Sequence, residues 1–179
     1  MGLDPPRDWI DLQEKVAALF SKVPGCRALL NHNVSGARIC NVAVDVYAEF
    51  GAESTDPFIM NDTGFIFTVI VECKHWKTRV PQEKVFALKT IVEDVGADRG
   101  LLITEAGVQK GAEKYLQSPC NIQALTFAEL KVQLQPRYRI KCSKCGSEGL
   151  NLPFRPNFDK VHLILCRKCH RDKVQSFTN

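Results

Sequence analysis

Apolar positions near the start of the chain recur at helical spacing and then give way to strand-like alternation. Residues 8–22 put Trp9, Leu12, Val16, Leu19 and Phe20 on one stripe, the pattern of an amphipathic helix with Asp8 as its N-cap. Pro24-Gly25 ends that helix. Cys26 to Val34 reads as a short strand leading to a turn at Ser35-Gly36. Asn41 to Phe50 alternates, with Val42, Val44 and Val46 on one face and Ala43, Asp45 and Tyr47 on the other. Residues 51–63, rich in Gly, Ser, Thr, Asp, Asn and Pro, read as a loop. From Gly64 to Lys74 the chain is a nearly unbroken run of β-formers, typical of a central strand covered on both faces.

Beyond that run, Pro81 suits the first turn of a helix reaching Val95, and Gly96 supplies its C-cap. Arg99 to Thr104 predicts a buried strand, Val108 to Leu116 a helix, Ile122 to Thr126 a strand, and Phe127 to Leu134 a last helix. The order α-β-β-β-α-β-α-β-α predicts an α/β domain, one mixed sheet with helices on both faces, over residues 1–136. Pro136 marks a boundary, because residues 137–179 are basic and cysteine-rich.

Charge sharpens this division. Residues 1–136 carry 14 Lys and Arg against 17 Asp and Glu, whereas residues 137–179 carry 10 against 3. So much positive charge in a short segment points to an anionic partner, with nucleic acid the usual one. No stretch of about 18 apolar residues is present, which excludes a spanning helix, and the start Met1-Gly2-Leu3-Asp4 lacks the features of a secretory signal. A cytoplasmic chain with no membrane association is the expectation.

The eight cysteines fall into two groups. Cys26, Cys40, Cys73 and Cys120 are scattered among apolar residues, where a thiol acts as a small hydrophobe. Cys142-x-x-Cys145 and Cys166-x-x-Cys169 have the spacing of a four-thiolate zinc site. A segment of some 40 residues has too little apolar surface to build a core unaided, so a structural zinc ribbon over 137–179 is predicted. A closed shell of four thiolates leaves no position for water and is not expected to be catalytic. Arg137, Arg139, Lys141, Lys144, Arg167, Lys168 and Arg171 decorate this module, with Phe154, Phe158 and Phe177 interleaved, as expected of a ribbon that grips DNA phosphates. A ribbon that only stabilises the chain or docks a protein is the plainer alternative.

Three charges in the first domain stand in apolar surroundings. Glu72 and Lys74 lie two residues apart at the end of the central strand and so share a face, while Cys73 takes the other. Asp45 sits among valines on the preceding strand. If those strands pair, the two carboxylates converge on one hard cation, and Mg(II) suits such a site because it keeps several waters. A salt bridge between Glu72 and Lys74, with Asp45 capping a turn, would explain the tripeptide equally well.

The wider pattern is more specific. Asn41-Val-Ala-Val-Asp45, Val69-Ile-Val-Glu72-Cys73-Lys74-His75-Trp76, Gly96-Ala97-Asp98-Arg99-Gly100-Leu-Leu-Ile-Thr104 and Gly107-Val108-Gln109-Lys110-Gly111-Ala112 together resemble the PD-(D/E)xK nuclease superfamily. More narrowly they resemble the Mrr-like, or type IV restriction endonuclease, catalytic domain, over about residues 9–130. That resemblance implies a restriction-endonuclease-like fold and a Mg(II)-dependent DNA endonuclease, with Mn(II) able to substitute and restriction of foreign or modified DNA as its role. It implies metal ligation by Asp45 and Glu72 and water activation by Lys74. It also implies a first-helix glutamate, Glu14, touching the metal through water, and places Gln82 near substrate. The loop before Glu72 is long for the family; its Glu53, Asp56 and Asp62, with Glu49 just before it, read as solvent-facing charges. An inactive nuclease fold serving DNA binding or assembly, and a repair or junction-resolving nuclease, are the rival functions. A homodimer that cuts both strands and a protein partner that switches activity are both compatible with the sequence.

Overall fold

The computed structural model describes residues 6–23, 26–39, 41–50, 67–117 and 120–134, together with the backbone of 139–141 and 148–150. Five strands form one sheet in the order β1-β2-β3-β4-β5: β1 (Cys26–Val34), β2 (Val42–Phe50), β3 (Phe67–Cys73), β4 (Arg99–Ile103) and β5 (Ile122–Leu125). β1, β2 and β3 pair antiparallel, while β3, β4 and β5 run parallel. The parallel part is wound by α2 (Gln82–Val95) and α3 (Lys110–Leu116). Two crossovers of the same hand, stepping the same way along the sheet, must lie on the same face. α1 (Trp9–Ser21) and α4 (Phe127–Leu134) therefore fill the opposite face.

Two buried layers result. On one side Leu12, Val16, Phe20 and Leu130 pack over Val46, Val69, Val71, Leu101 and Ile103. On the other, Val85, Leu88, Val92 and Ala112 pack over Val44, Ile70, Leu102 and Ile122. β3 and β4 are apolar on both faces because both are covered, as the run of β-formers predicts. Asp8 caps α1 by accepting the Asp11 N–H at 2.9 Å, and Gly96 ends α2 at φ 75°, in the left-handed region where glycine carries no Cβ penalty.

Three local expectations are corrected. Trp9 does not join the buried stripe of α1; as the first residue of the helix it is 58% exposed. α3 begins at Lys110 rather than Val108, since Val108 is engaged in a bridge with Val80. Val42, Val44 and Val46 do not share a face, for a reason that lies at the candidate site. Of the scattered cysteines, Cys26, Cys73 and Cys120 are free thiols, and burial pushes that of Cys26 up to about 12, as an inert core position requires. Cys40 and the loop acids Glu53, Asp56 and Asp62 lie outside the described residues.

The β1–β2 connection is tied to the end of α2 by Asp94. Its carboxylate, almost wholly buried, accepts the backbone N–H groups of Arg38 at 3.0 Å and Ile39 at 2.7 Å, and the Arg38 guanidinium at 3.1 Å. Gly36 lies so close that a Cβ there would overlap the Asp94 carboxylate and carbonyl. The two backbone hydrogen bonds, more than the arginine, hold the Asp94 carboxyl below its ordinary 3.8. A depressed carboxyl adds stability that is complete above its unfolded-state value and lost as pH falls through the folded one. Acid unfolding is thus expected to steepen below about pH 4. Asp94→Asn should remove that share of the slope, as thermal melts between about pH 2 and 6 would show.

Candidate active site

The sheet opens between β2 and β3. Their ladder runs from Phe50–Phe67 to Val46–Val71 and stops there, so Asp45 and Glu72 are the next residues in register. Instead of continuing the ladder, the Asp45 side chain takes over: Oδ2 accepts the Cys73 backbone N–H at 2.7 Å. Its other oxygen, Oδ1, accepts from Gln13 Nε2 on α1 at 2.6 Å. On the far side, β1 pairs Leu30 with Val46 and His32 with Val44 but skips Asn31, which stands opposite Asp45 at φ 46°. The alternation of β2 breaks at this point. Val44 is buried under α2 and α3, whereas Val46 is buried under α1 and α4.

Glu72 and Lys74 do share a face, since the Lys74 ammonium pairs with Glu72 Oε1. Lys74 is held just past the end of β3, its N–H donating to the Ile103 carbonyl at 2.8 Å. Val69, Val71 and Cys73 point to the α1 layer and Ile70 to the α2 layer, which gives Glu72 the α2 side. Burial raises the Glu72 carboxyl above its ordinary 4.5, the Lys74 hydrogen bond opposes this, and the nearby Asp45 charge adds to the rise. Lys84, in the first turn of α2, also acts on Glu72 and favours its charged form. The site is therefore two neighbouring carboxylates, one of them desolvated, with a lysine beside them. Cys73, between Glu72 and Lys74, is buried and its thiol is driven well above 9 by desolvation, which leaves it unsuited to nucleophilic chemistry.

The structure thus brings Asp45, Glu72 and Lys74 to one sheet opening. It does not bring Glu14 there. α1 turns Gln13 onto Asp45 and leaves Glu14 exposed, one residue and about 100° of helix away. A signal for Gln13 was present in the sequence, because it falls on the apolar stripe, four residues from Trp9 and three from Val16. Gln82 is laid against α3, where a Cβ on Gly111 would overlap its Oε1, and Lys84 is the α2 residue within electrostatic reach of Glu72. Glu49 sits on β2 beside Arg27, at 3.9 Å. No cluster of three or more His, Cys, Asp or Glu able to hold a metal occurs among the described residues. The donor set of two carboxylates nonetheless fits Mg(II), which binds through one or two carboxylates and retains waters.

Cys142, Cys145, Cys166 and Cys169 lie outside the described residues, as do Arg137, Lys144, Arg167, Lys168 and Arg171. Arg139 and Lys141 lie on β6 (Arg139–Lys141), which pairs antiparallel with β7 (Glu148–Leu150).

Gln13 is expected to orient Asp45 as outer-shell partners orient metal-binding carboxylates. Gln13→Ala should leave α1 intact, alanine being the best helix former, and lower any metal-dependent activity about 10- to 100-fold. Steady-state rates alongside circular dichroism melts check both halves of this expectation.

Comparison with known proteins speaks for the family and the fold. Residues 28–133 match the family model Mrr_cat, described as a restriction endonuclease. Among solved structures, a crystal structure of a protein of unknown function, AF1548, is similar with a TM-score of 0.50 at 18% identity. The match covers 67% of this chain and 58% of that one, and at this identity it speaks for the fold alone. No curated protein matches significantly. No described helix is long and apolar enough to cross a membrane.

Proposed function

The chain belongs to the Mrr_cat restriction endonuclease family, and on that premise we propose that it is a Mg(II)-dependent endonuclease that hydrolyses DNA phosphodiester bonds at Asp45, Glu72 and Lys74. The observation that carries the reading is the sheet opening itself. Two carboxylates and a lysine meet where the β2–β3 ladder stops, and Asp45 takes over the backbone N–H of Cys73 at that point.

Asp45 and Glu72 would hold the cation, each contributing carboxylate oxygen. Bound there, Mg(II) supplies charge neutralisation at the phosphate and a more acidic water. Gln13 and the Cys73 N–H fix the rotamer of Asp45, so its carboxylate is set before substrate arrives. Lys74, paired with Glu72, would orient the attacking water and, as the ammonium, stabilise negative charge growing on the phosphoryl oxygens; only its neutral amine would take the proton of that water. Lys84 adds positive charge on the α2 side of the same carboxylate.

Around this centre, the CxxC spacing supports a structural four-cysteine zinc module with Cys142, Cys145, Cys166 and Cys169, and the charge of 137–179 supports DNA as the ligand of that segment. Restriction of foreign or modified DNA is the role the family favours. One site cuts one strand, so cleavage of both strands calls for a homodimer or successive cuts. Repair or junction resolution would use the same chemistry on a different substrate.

The test is incubation of the purified chain with plasmid DNA in Mg(II), Mn(II) or EDTA, extended to linear, methylated, branched and single-stranded DNA. Nicking or linearisation that EDTA stops is the expected result, and preference within the panel separates restriction from junction resolution. Intact DNA under every condition, with binding retained, would assign the fold to binding or assembly instead.

A further inference from the structure

The chain has two tryptophans, and both are unusually exposed, Trp9 by 58% and Trp76 by 40%. Indoles are large enough that most are well buried, and single exposed apolar residues call for no explanation. Here the location matters more than the exposure. Trp76 lies two residues beyond Lys74 on the segment leaving β3. Trp9 lies one helical turn before Gln13 on the same face of α1, and Gln13 is bonded to Asp45.

The direction of α1 brings the two indoles to one end of the sheet. Phe20, near the C-terminus of α1, packs edge-on against Phe50 with ring centroids 6.0 Å apart, and Phe50 pairs with Phe67 at the start of β3. Gln13 reaches Asp45, which holds the N–H of Cys73 at the end of β3. α1 therefore runs antiparallel to β3. Trp9 lies one turn, about 6 Å, before Gln13, on the end of α1 that is level with the end of β3. Lys77 is exposed beside Trp76, and Lys84 acts on the nearby Glu72, whereas Trp9 has Arg7 and the acids Asp8 and Asp11 near it in the chain.

We infer that Trp9 and Trp76 are stacking surfaces for unpaired nucleobases on either side of the phosphate to be cut, so that the preferred substrate is DNA with single-stranded or frayed nucleotides at the cleavage point. The inference rests on the nuclease reading for the identity of that phosphate. Inside a closed duplex both faces of every base are covered by its neighbours, and an indole has nothing to stack on. An unpaired base offers a free π-face, and stacking on it is indifferent to sequence. The positive charges of Lys74 and Lys77 on either side of Trp76 complement the phosphates that accompany such a base and favour nucleic acid over an apolar protein surface.

Binding in EDTA separates stacking from cleavage. The chain's two tryptophans make Trp9→Phe and Trp76→Phe single-indole reporters. A single-stranded oligonucleotide should quench the fluorescence of both, and a relaxed, covalently closed duplex circle, which has no ends, should quench neither. Trp9→Ala and Trp76→Ala, at exposed positions that the fold does not use, should each weaken single-strand binding about tenfold and leave duplex binding nearly unchanged, with the Phe variants retaining most of the affinity. Equal quenching by both DNAs, or none, would overturn the inference. So would a self-associated chain that either Ala variant dissociates without loss of DNA affinity, since the indoles would then be a protein interface. Quenching by single strands without Mg(II)-dependent cleavage of any DNA would uphold the stacking surfaces and remove the nuclease reading instead.

Discussion

Lys74→Ala is expected to leave the chain folded and to lower Mg(II)-dependent cleavage by about 10³-fold or more. The size follows from the two tasks assigned to one side chain. Orienting or deprotonating water is worth about 10²- to 10⁴-fold, and an electrostatic donor aimed at developing charge about 10²- to 10³-fold, the two overlapping when one group does both. Folding should survive because Lys74 is held through its backbone by Ile103 and lies outside both buried layers. Its loss also removes the hydrogen bond that opposes the rise of the Glu72 carboxyl. Glu72 should therefore titrate higher still in the variant, and residual activity should improve as pH is raised. Single-turnover cleavage across pH, with thermal melts of both proteins, checks the rate and the fold together. Full activity in the variant would remove Lys74 from the mechanism.

The largest effect on stability is expected at Phe20. Its side chain is fully buried under the α1 face of the sheet and packs against Phe50, so Phe20→Ala removes a ring from a site that cannot readily collapse. Such truncations cost about 3–5 kcal/mol. Against a total stability of about 5–15 kcal/mol for a domain, the variant should be marginal at physiological temperature. Function should be lost as well, because the helix that Phe20 fastens is the one that brings Gln13 to Asp45. Urea titration of the wild type and Phe20→Ala measures the loss. A difference under about 1 kcal/mol would mean that α1 is held mainly by other contacts.

Element order was legible in the chain because each element carries its own local signal. The β-former run before Lys74, the Gly96 cap and the stripe of Leu12, Val16, Leu19 and Phe20 all point to what is observed. The shared face of Glu72 and Lys74 was legible for the same reason: strand periodicity is a two-residue property. What local signals do not hold is where one element ends relative to another. Trp9 has the spacing of a core residue, yet as the first residue of α1 it is exposed. Glu14 and Gln13 differ by one helical step, and the choice between them depends on the face that the whole helix packs. The break in β2 at Asp45 is set by Asn31 on the neighbouring strand, in a left-handed conformation that no pattern within β2 encodes. Asp94, an ordinary-looking acid near the end of α2, fastens a loop 56 residues away in sequence. The last three are long-range contacts, and two of them, those of Gln13 and Asp45, shape the candidate site.

The central claim is that Asp45 and Glu72 converge on one divalent cation, and calorimetric titration of the purified chain with Mn(II) tests it most directly. Binding of a single ion should be retained in Lys74→Ala and lost in both Asp45→Asn and Glu72→Gln, with cleavage lost in the two carboxamide variants and only residual in Lys74→Ala. Mn(II) binding that neither carboxamide variant disturbs would contradict the account.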